Sequence, residues 1–155
     1  MGIENIVLYH ALGKLKGVGR KTLESLPIEM LQRVNDEDDF IQLYDFLRGK
    51  VSRIGKYEPD DLRRILDVAR QAQFASNEKG IIGLTRFDEG YPEMLKEIDT
   101  PPVALYVKGN LSCLNKNAVA VIGTRNPSSY ALKLGERLGT VMAERGFVVV
   151  SGLAE

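Results

Sequence analysis

The chain has 155 residues, with 21 basic and 21 acidic side chains and one histidine. The balance holds along its length, 12 of each sign in residues 1–76 and 9 of each in 77–155. Nucleic acid, if bound, must therefore be met by a local cluster and not by the field of the whole chain. Cys113 is the only cysteine, which excludes an internal disulfide and a cysteine-based zinc site.

No stretch approaches the roughly 20 apolar residues of a membrane span. The amino terminus, with Glu4 early and no long apolar run, does not read as a secretory signal. A cytoplasmic protein without membrane contact is expected.

Residues 1–76 read as helical. Ile3, Ile6, Val7, His10 and Ala11 recur at helical spacing, and Gly13, Gly17 and Gly19 follow in a turn. Asn35 ahead of Asp36, Glu37, Asp38 and Asp39 is a helix-start signature, because acids in a first turn complement the helix dipole. Phe40, Leu43, Tyr44 and Leu47 form one face, with Gly49 as the predicted stop. A further helix starts near Glu58, with Pro59 at the first position, where a missing N–H costs nothing. Leu62, Ile65, Leu66 and Ala69 mark its buried stripe.

The texture changes near Ser76 and Asn77, predicting a helical domain over 1–76 and a second domain over 77–155. Residues 80–85 and 103–107 read as strands, with a brief helix after Tyr91-Pro92 and a stiff break at Pro101-Pro102. Then come AVAVIG at 118–123, an amphipathic stretch, and FVVVSG at 147–152. This is a β-α-β unit of the expected ~30 residues or more. Its helix is predicted to bury Ala131, Leu134, Leu138, Val141 and Met142. The fold class is α/β: a small all-helical amino-terminal domain, then the opening of a Rossmann-like parallel sheet.

The first strand-to-helix turn of such a unit is where α/β proteins hold phosphates. Here it reads Gly123-Thr124-Arg125-Asn126-Pro127-Ser128. Glycine lets the backbone approach a ligand closely. The amides that follow lie near a helix N-terminus, Ser128 or Ser129 can cap that helix, and Arg125 adds a guanidinium fork suited to phosphate oxygens. Ser151 and Gly152 end the adjacent strand at the same sheet edge and can add backbone donors. The alternative is a plain turn with a solvated arginine. The dinucleotide fingerprint GxGxxG is missing, and no catalytic, metal or cofactor constellation is visible.

The second half resembles the DprA/Smf family of DNA-processing proteins. The resemblance rests on an ordered set of pieces. Tyr91-Pro92 with Leu95 comes first, then Pro101-Pro102-Val103 leading to Leu105-Tyr106-Val107-Lys108-Gly109-Asn110. Val121-Ile122-Gly123-Thr124-Arg125 follows, with Ser128-Ser129-Tyr130, and last Val150-Ser151-Gly152-Leu153-Ala154. One departure is Ala131, where the family commonly has glycine. The helical half is similar to the variable domain often found ahead of the family's core.

The resemblance implies a Rossmann-like core that binds single-stranded DNA, protects it and passes it to the RecA recombinase during natural transformation, with no enzymatic activity. It implies DNA contact at Gly123, Thr124 and Arg125. Family chains continue beyond the SGLA segment, so this sequence is expected to be an amino-terminal portion or a shortened relative. The apolar run 147–150 suits a strand covered on both faces. With nothing further to cover it, a homo-oligomer is expected. The competing functional readings are a nucleotide- or nucleoside-phosphate-binding Rossmann-like enzyme and an inactive fragment.

Residues 15–23, LKGVGRKTL, have the shape of a helix–hairpin–helix motif. Gly17 and Gly19 allow a tight turn whose amides can hold a DNA phosphate, with Arg20 or Lys21 nearby. A helix connector that uses glycine only for geometry is the alternative. His10 lacks a ligand partner in the sequence, and Cys113 reads as a quiet thiol. Asp88, Glu89 and Glu93 read as a charged loop and helix start, Lys133 and Arg137 as a solvated helix face, and Tyr91, Tyr106 and Tyr130 as core aromatics or base-stacking platforms.

Overall fold

The computed structural model describes residues 3–152. Leu153 and Ala154 of the SGLA piece lie outside the described residues. The chain forms two compact units, Met1–Leu111 and Ser112–Glu155. The compositional change near residue 76 falls in the last turn of a helix that ends at Glu78, and the strand pair that follows belongs to the helical unit.

The first unit is built on α1 (Asn5–Lys14), which buries Ile6, Val7, Leu8, Tyr9, Ala11 and Leu12. The sequence pattern predicts one apolar face. The helix is instead covered on most sides, because α5 (Pro59–Glu78) and β1 (Ile81–Thr85) both pack on it. Two short helices, α2 (Arg20–Glu24) and α3 (Ile28–Leu31), lead to α4 (Glu37–Lys50).

Asp36 caps α4, its carboxylate accepting from the Asp39 amide at 2.9 Å, and three acids occupy the first turn. The helix runs one residue past Gly49, which is therefore not the stop. Pro59 opens α5 as predicted. Its buried stripe is Leu62, Leu66, Ala69 and Gln73, with Ile65 half-buried beside it.

Tyr44 fastens the loop between α4 and α5. Its hydroxyl donates to the Gly55 carbonyl and accepts from the Tyr57 amide, both at 3.0 Å. The Tyr57 hydroxyl in turn accepts from the Lys16 amide at 2.9 Å.

β1 pairs antiparallel with β2 (Ala104–Lys108), Gly83 opposite Tyr106. A side chain at Gly83 would place its Cβ 2.4 Å from Ile6 Cγ1. The strand lies this close to α1 because that position has no Cβ. Between the strands, Thr85 donates its amide and hydroxyl to Asp88 at 2.5 and 2.7 Å. Tyr91 is fully buried, its hydroxyl donating to the Pro102 carbonyl at 2.7 Å, and α6 (Glu93–Lys96) lies between these two residues in sequence. Arg86 donates to the carbonyls of Glu24 and Leu26 and lies over the Phe87 ring.

The second unit holds β3 (Ala118–Ala120), α7 (Ser129–Glu144) and β4 (Val148–Val150). β3 and β4 pair in parallel, Ala120 opposite Val150, as the β-α-β reading requires. Ser128 caps α7 by accepting from the Ala131 amide at 3.2 Å. At the other end Gly146 adopts φ +83°, Phe147 N donates to Met142 O and Gly146 N to Ala143 O. This is the Schellman arrangement, which needs a residue free to take positive φ.

One expectation is corrected here. No residue of α7 is fully buried: of the five residues predicted to be buried, Leu134 and Leu138 are each 43% exposed, Ala131 is exposed, and Val141 and Met142 are half-buried. The apolar run of β4 lacks a full cover, as expected, with Val149 and Val150 36% and 49% exposed. Within this unit the sheet has two strands, too narrow to cover the whole apolar face of a four-turn helix.

Candidate nucleic-acid interface

β3 runs out just before the Gly123-Thr124-Arg125 turn, and Val121 N still donates to Val150 O at 2.9 Å. Because β3 and β4 are parallel, this bond brings Ser151 and Gly152 to the same sheet end as the turn. Residues 122–130 and 151–152 are all exposed.

Inside the turn, Thr124 Oγ1 accepts from the Asn126 amide at 3.3 Å, and the Ser128 Oγ is engaged as the helix cap. Pro127 has no amide to offer. Among the described residues the Arg125 guanidinium has no hydrogen bond or ion pair. Gly123 has no positive φ, and a Cβ built there meets nothing within 4 Å. Among the described residues there is therefore no steric reason for glycine at 123.

Free amides at the start of α7, the positive end of its dipole and an uncommitted guanidinium converge on one exposed corner. Beside it lies a cavity of about 580 Å³, walled by Ile122, Leu134 and Leu138 and edged by Thr124 and Arg125. Its apolar wall was not anticipated, because α7 was predicted to bury those leucines. The signal that could have found it is Ile122, an apolar residue placed directly before the turn, which is 89% exposed.

The hairpin residues Gly17, Gly19 and Lys21 sit in the other compact unit. Gly17 has φ +88°, and a Cβ there would stand 2.1 Å from the Arg53 carbonyl oxygen. Geometry alone thus accounts for Gly17. Gly19 precedes α2 in an extended conformation with open space around it, and Lys21 is exposed. Arg20 is engaged by Glu24 and the Thr100 carbonyl.

Among the remaining candidates, Tyr91 is core, while Tyr106 and Tyr130 are 53% and 75% exposed. Lys133 and Arg137 are exposed. Asp88 is committed to Thr85, and Glu93 meets Lys96 at 2.8 Å. His10 is half-buried, its Nδ1 3.3 Å from the Tyr106 hydroxyl, and burial followed by the Lys14 charge lowers its pKa. Burial raises that of Tyr106. Cys113 is half-buried. Among the described residues no three His, Cys, Asp or Glu side chains cluster to hold a metal ion, and no helix is long and apolar enough to cross a membrane.

Residues 83–155 match the family described as DNA recombination-mediator protein A. Over this segment the chain is similar to the DprA/Smf proteins. The chain is similar to the DNA processing protein DprA of Bacillus subtilis, 37% identical over 81 residues, which make up 52% of this chain and 27% of that protein. It is 43% identical over 68 residues to DprA of Streptococcus pneumoniae, covering 44% and 24% of the two chains. It is 38% identical over 66 residues to protein Smf of Escherichia coli, covering 43% and 18%. The match thus spans between 18% and 27% of these relatives.

The X-ray structure of DprA from Streptococcus pneumoniae resembles the whole of this chain, with a TM-score of 0.60 at 24% identity, over 51% of its own length. That likeness supports the α/β fold, with its helical region ahead of the DprA/Smf segment.

Proposed function

We propose that this chain acts in DNA recombination by holding single-stranded DNA, protecting it and helping to load RecA, as in natural transformation. The role is one of binding, not catalysis, and it is carried out in a homo-oligomer in the cytoplasm. The observation that carries it is the unpaired Arg125 beside the open backbone of Gly123 and Thr124, at the start of α7 and in a DprA/Smf segment. A sugar–phosphate backbone presents anionic oxygens at regular spacing, and this corner offers amide donors and a planar fork to one of them. Ser151 and Gly152 extend the donors along the sheet end, and Asn126 and Ser128 complete the turn. Gly17, Gly19 and Lys21 supply a weaker, sequence-independent contact of the same kind.

Fluorescence anisotropy with labelled oligo-dT tests the reading. Arg125→Ala is expected to weaken binding on every sequence and to reduce the slope of log K against log salt by about 0.7, the value for one phosphate on a single strand. An unchanged slope discards this role for Arg125.

The cavity of about 580 Å³ next to the turn favours a second reading, a site for a nucleoside phosphate with its base against Leu134 and Leu138. Thermal stabilisation by a nucleotide, without oligo-dT binding, selects that reading.

A further inference from the structure

The helical unit carries an apolar surface that neither its core nor the DNA corner explains. α4 turns Leu43, Tyr44 and Leu47 into the core, whereas Phe46 is 46% exposed. Phe46 lines a groove of about 520 Å³ between α4 and the segment carrying α2 and α3. Leu26 and Leu47, 4% and 2% exposed, form its floor, and Met30 lines it as well. The charged residues of the groove are Lys21 and Lys50, and no acid lines it.

Lys50 Nζ stands 5.7 Å from the Phe46 ring centre. Among the described residues neither lysine has an ion-pair partner, in contrast to the first turn of α4, where Glu37 and Asp38 meet Arg63 and Arg70. An apolar trough edged by two cations without counter-charges is complementary to a ligand of one particular kind.

The geometry points to a docking groove for an acidic amphipathic helix of a protein partner. Apolar side chains at i, i+3 or i+4 and i+7 enter the trough over Leu26 and Leu47, between Met30 and Phe46. Aspartates or glutamates beside them reach Lys21 and Lys50, and these contacts set the direction and register of the incoming helix. Single-stranded nucleic acid fits less well. It would gain two phosphate contacts and one stacking ring that already has an ammonium over it, and its backbone would lie on an apolar floor.

The test is an amide-resolved NMR titration of the isotope-labelled full chain with three probes. One is a synthetic helix with leucines at i, i+3, i+4 and i+7 and glutamates elsewhere. The second is the same helix with lysine for glutamate, and the third is oligo-dT. The acidic helix is expected to shift the amides of Lys21, Leu26, Phe46 and Lys50 and to bind at least ~10-fold more tightly than the basic one.

Lys21→Glu with Lys50→Glu, both surface changes, should reverse that preference. Phe46→Ala should weaken the acidic helix by about 10-fold while leaving the rest of the spectrum in place. The proposal is overturned if no helix moves these amides, if acidic and basic helices bind alike, or if the charge reversal has no effect. It is equally overturned if oligo-dT moves them and the acidic helix does not, which would make the groove a nucleic-acid surface. None of these readings depends on Arg125, so the groove and the corner at 123–125 stand or fall separately, while Lys21 is shared with the hairpin contact and its oligo-dT shifts are read against those of Leu26, Phe46 and Lys50.

Discussion

Gly17→Ala puts the hairpin to its sharpest test. At φ +88° an L-residue carries a strain of about 1 kcal/mol or more. The added Cβ would also lie 2.1 Å from Arg53 O and 2.9 Å from Ile54 Cα, against ordinary contacts of 3.4 Å and above. Relief requires the 53–54 backbone to retreat by more than an ångström. That segment is held by the 2.7 Å bond from Gly55 N to Lys16 O and by the Tyr44 hydroxyl, so retreat breaks contacts on both sides.

Overpacking of this kind costs roughly 1–3 kcal/mol, for a total near 2–4 kcal/mol. With a shift of about 2–4 °C per kcal/mol at this chain length, melting should fall by about 5–15 °C by circular dichroism. Gly19→Ala, with no positive φ and nothing within 4 Å, is expected to cost under about 1 kcal/mol. If Gly17→Ala melts within 2–3 °C of the parent chain, on the same scale, the close approach to Arg53 does not hold and the steric account of this turn fails.

Other perturbations separate binding from folding. Arg125→Ala should leave the melting temperature unchanged, within about ±0.5 kcal/mol, because the side chain is exposed and unpaired; Arg125→Lys should keep the salt slope of oligo-dT binding yet lose affinity with the bidentate fork. Gly123→Ala should also fold normally, and weaker oligo-dT binding by that variant would show a ligand approaching where the protein does not. Tyr44→Phe removes one donor and one acceptor from the loop after α4 and should cost about 1–3 kcal/mol in urea unfolding. Burial holds the folded-state pKa of His10 below its ordinary 6.5, so the unfolded chain binds the proton first. Its contribution to stability is then complete above pH 6.5 and declines as the pH falls from there through the lowered folded value. His10→Asn should flatten that part of the stability curve, and a slope equal to that of the parent chain would assign it to other groups.

Much of the fold was legible where local chemistry decides it. The Asp36 cap and acidic first turn of α4, Pro59 at the head of α5 and the Ser128 cap of α7 are all set by neighbours three or four positions away. α2 was implied only by the glycine hairpin ahead of it, and α3 was not marked, since four residues leave no periodicity to read. The covering of α1 was underread because the helix packs on α5 and β1, which lie more than 40 residues further along the chain. For α7 the error ran the other way. Its pattern is that of a helix over a wide sheet, and among the described residues of its unit the paired strands are β3 and β4, so the stripe that pattern marks is left open to solvent.

The two turn glycines that carried the functional reading look alike in sequence, each followed closely by a cation. Structure separates them by what stands in the place of the absent side chain. At Gly17 that place is taken by the backbone of Arg53, so the glycine is explained by folding, and the hairpin needs no ligand to justify it. At Gly123 no described residue stands in that place, φ is not positive, and Arg125 beside it has no partner among the described residues. A position where folding does not require glycine, next to a charge that folding does not neutralise, has spare capacity for a ligand. Because strand pairing anchors the chain entering the turn, through Val121 N to Val150 O and the β3–β4 register, a phosphate would meet donors already arranged. Affinity at the turn should therefore follow the integrity of that pairing. Proline at Val121, which removes the bond to Val150 O, is expected to weaken oligo-dT binding even with Arg125 intact.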